Sequence, residues 1–251
     1  MSRRAIKLIF FYYFFQILLV FGYSFIFLVQ IFNSKWAFSM KHGLVHRFCK
    51  ILFPIINVKI DCNISYEKLK KVLSKPLVMY SNHQSIFDAY LLYSILPVDY
   101  KMFWSDTAHV DRYKLSITKL IGKLYDLNFT HYKNNKRKNY FEFKKVLSFI
   151  SSGNAVLIFP EGSLSKSGKL KPFLPASFQI PLKINANIFG LFIKGSNKIM
   201  SNLNTNADSR VEVKIVDFTD KFYNEISSPK HIPKKMESFF MKEYERMELA
   251  S

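Results

Sequence analysis

The stretch Pro76-Leu-Val-Met-Tyr-Ser-Asn-His-Gln-Ser-Ile-Phe-Asp88 decides how this chain folds. Its first residues, Pro76 to Tyr80, form a short apolar run that ends in a polar cluster. That pattern fits a buried strand delivering residues to a site at its C-terminal end. Asp88 to Leu96, DAYLLYSIL, then has the spacing of a helix. Strand, turn and helix together put a histidine, His83, close to a carboxylate, Asp88. An imidazole, whose ordinary pKa is about 6.5, accepts a proton at neutral pH, and a carboxylate on its other nitrogen fixes the tautomer and stabilises the imidazolium. The plainer reading is a helix-capping Asn82 beside a structural histidine, so the pair needs support from elsewhere in the chain.

Support comes from a second strand, Ala155 to Ile158, which runs into Phe159-Pro-Glu-Gly-Ser-Leu-Ser165. Proline, glycine and serine after a buried strand build a turn whose backbone N–H groups and hydroxyls can face an anion. Glu161, Gly162 and Ser163 lie in that turn, and Lys166, Lys169 and Lys171 add positive charge. Around these two units, strand candidates at Val58–Ser65, Ala186–Ile193 and Val211–Phe218 alternate with helical patterns at Tyr66–Ser74 and Phe141–Ile150. Alternation of this kind predicts an α/β domain. Lys133 to Asn139, KNNKRKN, reads as a solvated basic loop. The tail from Pro229 places Met236, Phe239, Phe240, Tyr244 and Met247 on one helical face, a stripe that packs on the domain.

The 251 residues suffice for one sizeable domain with an appendage at either end. Hydrophobic residues make up 49% and charged residues 22%, which excludes disorder for most of the chain. The net charge of +19, from 37 Lys and Arg against 18 Asp and Glu, predicts attraction to polyanions. No nucleic-acid motif accompanies it, so anionic lipid or a phosphorylated substrate is the expected partner. Cys49 and Cys62 alone form neither a disulfide framework nor a zinc pattern, and no metal site is expected; reduced, packed thiols lean towards cytosolic exposure. His42 and His46 stand four residues apart without a third ligand and read as interfacial histidines.

Leu8 to Phe32 carries no charge and is apolar on every side. Residues 1–34 are therefore expected to form a membrane anchor, and 35–251 one catalytic unit held at the membrane, on its cytoplasmic face. Arg3, Arg4 and Lys7 before the run are matched by Lys35, Lys41, Arg47 and Lys50 after it, so charge asymmetry does not orient it. A re-entrant path is the other option, with a bend at Gly22 and a second interfacial stretch from Leu44 to Ile60.

At its two motifs the chain resembles the glycerophospholipid acyltransferase family, most closely the 1-acylglycerol-3-phosphate branch. Asn82 to Asp88 matches the N-H-x-x-x-x-D block and Phe159 to Ser165 the F-P-E-G-T-R-S block, in the expected order. The resemblance implies a mixed central sheet flanked by helices, catalysis beside a membrane, and direct transfer from acyl-CoA or acyl carrier protein without an acyl-enzyme or cofactor. It implies His83 as base, Asp88 as its orienting partner, and Glu161, Gly162, Ser163, Lys166 and Lys169 around a lysophospholipid acceptor.

Three departures bear on that acceptor. The phosphate-binding arginine of the second block is Leu164 here, which removes a fork able to hold phosphate bidentately. An intermediate block reads Gly122-Lys123-Leu124-Tyr125 and leads to Thr130-His131 in place of an acidic residue and arginine. A fourth block, centred in the family on proline, has Gly190. Two alternatives follow: the same chemistry on another lysophospholipid or a lyso-aminolipid, and a non-enzymatic basic protein that adheres to membranes.

Overall fold

The computed structural model describes residues 2–74, 76–105, 128–132, 134–165, 169–224 and 231–249. The chain opens with two helices, α1 (Arg3–Phe32) and α2 (Ser34–Ile55), packed against one another as a hairpin. One residue makes the reversal. Asn33, in extended backbone, donates its N–H to Val29 O at 2.8 Å to close α1, and its side chain accepts from Trp36 N at 2.9 Å to start α2. The bend expected at Gly22 thus falls at Asn33, where a side chain can satisfy the orphan groups of both helix ends.

No helix among the described residues qualifies as a membrane span, so the crossing anchor expected from Leu8–Phe32 is not found. The run instead lies along the domain. Leu8, Phe11 and Phe15 pack on the core, while Phe10, Phe14, Phe21, Phe25 and Phe32 point outward, each at least half exposed. At its start, Arg4 meets Asp208 at 2.8 Å, but Asp208 is largely exposed, so that pair contributes under about 1 kcal/mol. Apolar burial therefore does the docking. The second stretch, Leu44 to Ile60, is not interfacial along its inner face: Phe48, Cys49, Leu52, Phe53 and Ile56 are all buried in the core.

The remaining order is β1 (Val58–Cys62), α3 (Tyr66–Val72), β2 (Leu77–Ser81), α4 (Phe87–Ile95), β3 (Tyr100–Ser105), β4 (Asn128–His131), α5 (Lys136–Ser151), β5 (Ala155–Ile158), β6 (Asn187–Lys194), α6 (Ile199–Thr205), β7 (Ser209–Asp217), α7 (Thr219–Asn224) and α8 (Ile232–Leu249). The strands form one mixed sheet in the order β1-β7-β6-β2-β5-β3-β4. β6, β2, β5, β3 and β4 run parallel; β7 pairs antiparallel with β6 and parallel with β1. This is the mixed, helix-flanked α/β sheet expected.

β2 sits in the middle, and all five of its residues are buried. Leu77 and Met79 enter the core under α1, α2 and α4, whereas Val78 and Tyr80 enter the core under α5, α7 and α8. Covered on both faces, the strand reads as an unbroken apolar run, as central parallel strands do. Much of Lys133–Asn139 is helical: Asn135 accepts from Lys138 N at 2.9 Å and caps α5, so Lys136, Arg137 and Lys138 begin a helix. Gly190 also has a packing reason. A Cβ there would sit 2.3 Å from the Phe218 ring, so the aromatic ring occupies the space a larger residue would need.

Candidate active site

Both motifs leave the sheet at the C-terminal ends of neighbouring parallel strands, β2 and β5, where open α/β sheets place their ligands. The chain leaving β2 is fixed first by Asn82, which is fully buried and caps no helix. Its Nδ2 donates to Ile193 O at 2.8 Å and its Oδ1 accepts from Ile193 N at 2.7 Å, so the amide continues the β6 ladder for one more residue.

Asp88 lies in the first turn of α4 with no solvent exposure. Its Oδ2 accepts from Gln84 N at 2.6 Å, from Ser85 N at 2.7 Å and from His83 Nδ1 at 3.0 Å. One oxygen thereby folds the turn and holds the imidazole. With Nδ1–H on Asp88, the tautomer leaves a lone pair on Nε2 for a proton. The ring lies flat on Phe159, centroids 4.1 Å apart and planes 21° from parallel.

The second motif also grips the His83 backbone from both sides. Glu161 Oε1 accepts from His83 N at 2.8 Å, and Ser165 N donates to His83 O at 2.7 Å. Glu161 is buried, and its other oxygen accepts from Lys171 N at 2.9 Å, so both oxygens serve the chain's own backbone. Gly162 has φ 67°, and a Cβ there would lie 2.4 Å from Leu174 Cδ1, so glycine is required twice over. Ser163 is exposed at the tip and accepts a hydrogen bond from Lys171 Nζ. Lys169 is exposed, and its carbonyl accepts from Ser165 Oγ. Lys166 lies outside the described residues, as does Gly122–Tyr125 of the intermediate block. His131 is on the edge strand β4, three strands from β2 and so about 14 Å to one side, too far to touch the pair. His42 and His46 pack under α4 instead of facing outward: His42 is buried with Nδ1 3.4 Å from Asp99, and His46 Nδ1 is 2.6 Å from Tyr93 O. No cluster among the described residues could hold a metal ion.

Burial raises the Glu161 carboxyl above its ordinary value, against the lowering effect of its two backbone N–H bonds and of nearby His83 and Lys171. The folded state therefore holds that proton more tightly than the unfolded chain, and Glu161's contribution to stability falls as pH rises from its ordinary value towards the raised one. In Glu161→Gln that dependence disappears, one of two acceptors is lost at about 1–3 kcal/mol, and the cost of a buried charge is relieved. These opposing effects predict a small change in Tm. Nothing compensates the loosened His83 backbone, so kcat should fall about tenfold. Thermal unfolding beside turnover checks this; unchanged turnover would remove Glu161 as a positioning residue.

Sequence reasoning missed three contributors. The motif alone gives Phe159 no role, and Asn82 has the look of a helix cap. Tyr244 belongs to the packing stripe of the tail, yet its hydroxyl accepts from Gln84 Nε2 and ties α8 to the residue beside His83.

The chain is similar to known proteins in both sequence and fold. The chain is 27% identical over 188 residues to the 1-acyl-sn-glycerol-3-phosphate acyltransferases BAT2, chloroplastic, of Brassica napus and LPAT1, chloroplastic, of Arabidopsis thaliana. The aligned part is 73% of this chain and 50% and 48% of those proteins, so the chain spans about half the length of the curated relatives it matches. Its fold is similar to the crystal structure of the 1-acyl-sn-glycerophosphate (LPA) acyltransferase PlsC from Thermotoga maritima, with TM-score 0.69, 18% identity and 97% of each chain covered. The acyltransferase family model matches residues 63–194, just over half the chain. Because that segment contains both the turn after β2 and the turn after β5, the chain belongs to the acyltransferase family.

Proposed function

We propose that this protein transfers a fatty acyl group from a thioester donor, acyl-CoA or acyl carrier protein, to the sn-2 hydroxyl of 1-acylglycerol 3-phosphate, giving phosphatidic acid for phospholipid synthesis. The observation that carries this reading is His83 held by Asp88 at one nitrogen, with its backbone locked by Glu161 and Ser165. His83 Nε2 takes the acceptor's hydroxyl proton as that oxygen attacks the thioester carbonyl. The C–O bond forms, the C–S bond breaks, and the imidazolium returns its proton to the departing thiolate. Asp88 stabilises the imidazolium between the two steps. No cofactor enters this sequence.

A membrane setting fits the outer face of α1, whose exposed phenylalanines form a contiguous apolar surface of the kind that enters the acyl boundary of one leaflet. The charge of +19 adds attraction to anionic headgroups on the cytoplasmic side. Leu164 favours a second reading, the same chemistry on another lysophospholipid or a lyso-aminolipid, because it leaves the motif without a guanidinium.

An acceptor panel tests both readings. Full-length protein in membranes receives labelled acyl-CoA or acyl carrier protein with 1-acylglycerol 3-phosphate, a zwitterionic lysophospholipid or a lyso-aminolipid. Phosphatidic acid as the main product is the expected result. Turnover confined to another acceptor would replace the first reading by the second, and silence with every acceptor would leave a membrane-binding protein.

A further inference from the structure

Leu164 deprives the turn after β5 of the cation expected there, and the structure brings another cation to the same turn from farther along the chain. We propose that Lys171 binds the phosphate of the acceptor and so sets the preference for a phosphate-bearing lysolipid. This inference rests on the acyl-transfer reading above and names the group that holds its substrate.

Lys171 is tethered at both ends. Its backbone N–H donates to Glu161 Oε2 at 2.9 Å, while the other oxygen of the same carboxylate takes His83 N at 2.8 Å. Its main chain is thus held one carboxylate's width from that of the base. At the far end, Lys171 Nζ donates to Ser163 Oγ at the exposed tip of the turn, beside Gly162. The serine hydroxyl accepts from the ammonium and keeps its own hydrogen to donate, so the two side chains offer several donors to one anion. The bond to Ser163 puts the ammonium at the turn, where an arriving phosphate would meet it.

The neighbouring lysines are placed differently. Lys194 Nζ lies 3.1 Å from Met247 O near the end of α8, and Lys169 joins the turn through its carbonyl. An ammonium is a point charge where a guanidinium is a planar fork, so Lys171 attracts phosphate with little demand on its orientation. Anionic groups reach such a site from two sources, the acceptor and the phosphates of the CoA donor, and kinetics separates them.

The experiment uses the full chain in detergent micelles, with KM and kcat measured for wild type, Lys171→Ala, Lys171→Arg and Lys70→Ala, the last an exposed lysine on α3. The alanine variant should raise KM for 1-acylglycerol 3-phosphate about tenfold or more, with kcat changed by less than about threefold and donor KM unmoved. Arginine should restore the acceptor KM, and Lys70→Ala should match wild type. An unchanged acceptor KM in Lys171→Ala overturns the inference, as does a rise confined to the donor KM. If wild type transfers nothing to 1-acylglycerol 3-phosphate, the underlying reading falls and the inference with it. Wild-type turnover with an indifferent Lys171→Ala removes the inference alone.

Discussion

Replacing His83 by alanine is expected to lower kcat by at least about a hundredfold, the usual contribution of a positioned general base. Stability should fall by no more than about 2 kcal/mol. The anchoring contacts of this residue run through its backbone, to Glu161 Oε1 and Ser165 N, and alanine retains both. The side chain adds one bond to Asp88 and a stacked contact with Phe159, each worth about 1 kcal/mol. Turnover by the variant in membranes, with circular dichroism confirming the fold, is the measurement. A folded His83→Ala protein with wild-type turnover would exclude the base mechanism. A fall in kcat without a matching rise in KM would place the loss in the transition state.

The second large effect is expected at Asp88, where two variants separate structure from charge. Asp88→Ala deprives Gln84 N, Ser85 N and His83 Nδ1 of their shared acceptor in a site closed to water. A loss of about 3 kcal/mol or more follows, with activity abolished through the collapsed turn. Asp88→Asn is the sharper test. Its carbonyl can occupy the Oδ2 position and accept all three hydrogen bonds, so the turn and the tautomer survive while the charge disappears. A well-folded asparagine variant should still lose about a hundredfold in kcat, because a neutral amide does not stabilise the imidazolium. Near-wild-type turnover in Asp88→Asn would reduce Asp88 to a scaffold for the turn.

Much of the fold was legible because its signals are local. A continuous apolar run at Leu77–Tyr80, another at Ala155–Ile158 and a helical pattern ahead of each identify strands covered on both faces. The C-terminal stripe was also readable, with Met236, Phe240 and Met247 buried as expected. The path of the N-terminal run was not. Hydrophobicity says that a segment leaves water, but it does not distinguish lipid from the side of a protein domain. Leu8 to Phe32 is divided along its length, with Phe11 and Phe15 against the core and Phe10 and Phe14 outward. Only the turn at Asn33, which folds α1 back on α2, sorted those faces.

The site divides in the same way. By itself the sequence determined that His83 and Asp88 lie close together, since only seven residues separate the strand end at Tyr80 from the helix start at Asp88. It also placed Glu161 and Gly162 in a second turn after a parallel strand. Tertiary structure decided what each of them does: that Glu161 braces the backbones of His83 and Lys171, that Asn82 pairs with Ile193, that Phe159 carries the imidazole, and that Lys171 reaches Ser163. The reason is physical. A strand or a helix records its environment in the spacing of its own side chains. A hydrogen bond from a side chain to a distant backbone group needs only one acceptor at one point in space, and nothing in the partner's sequence marks where that point will be.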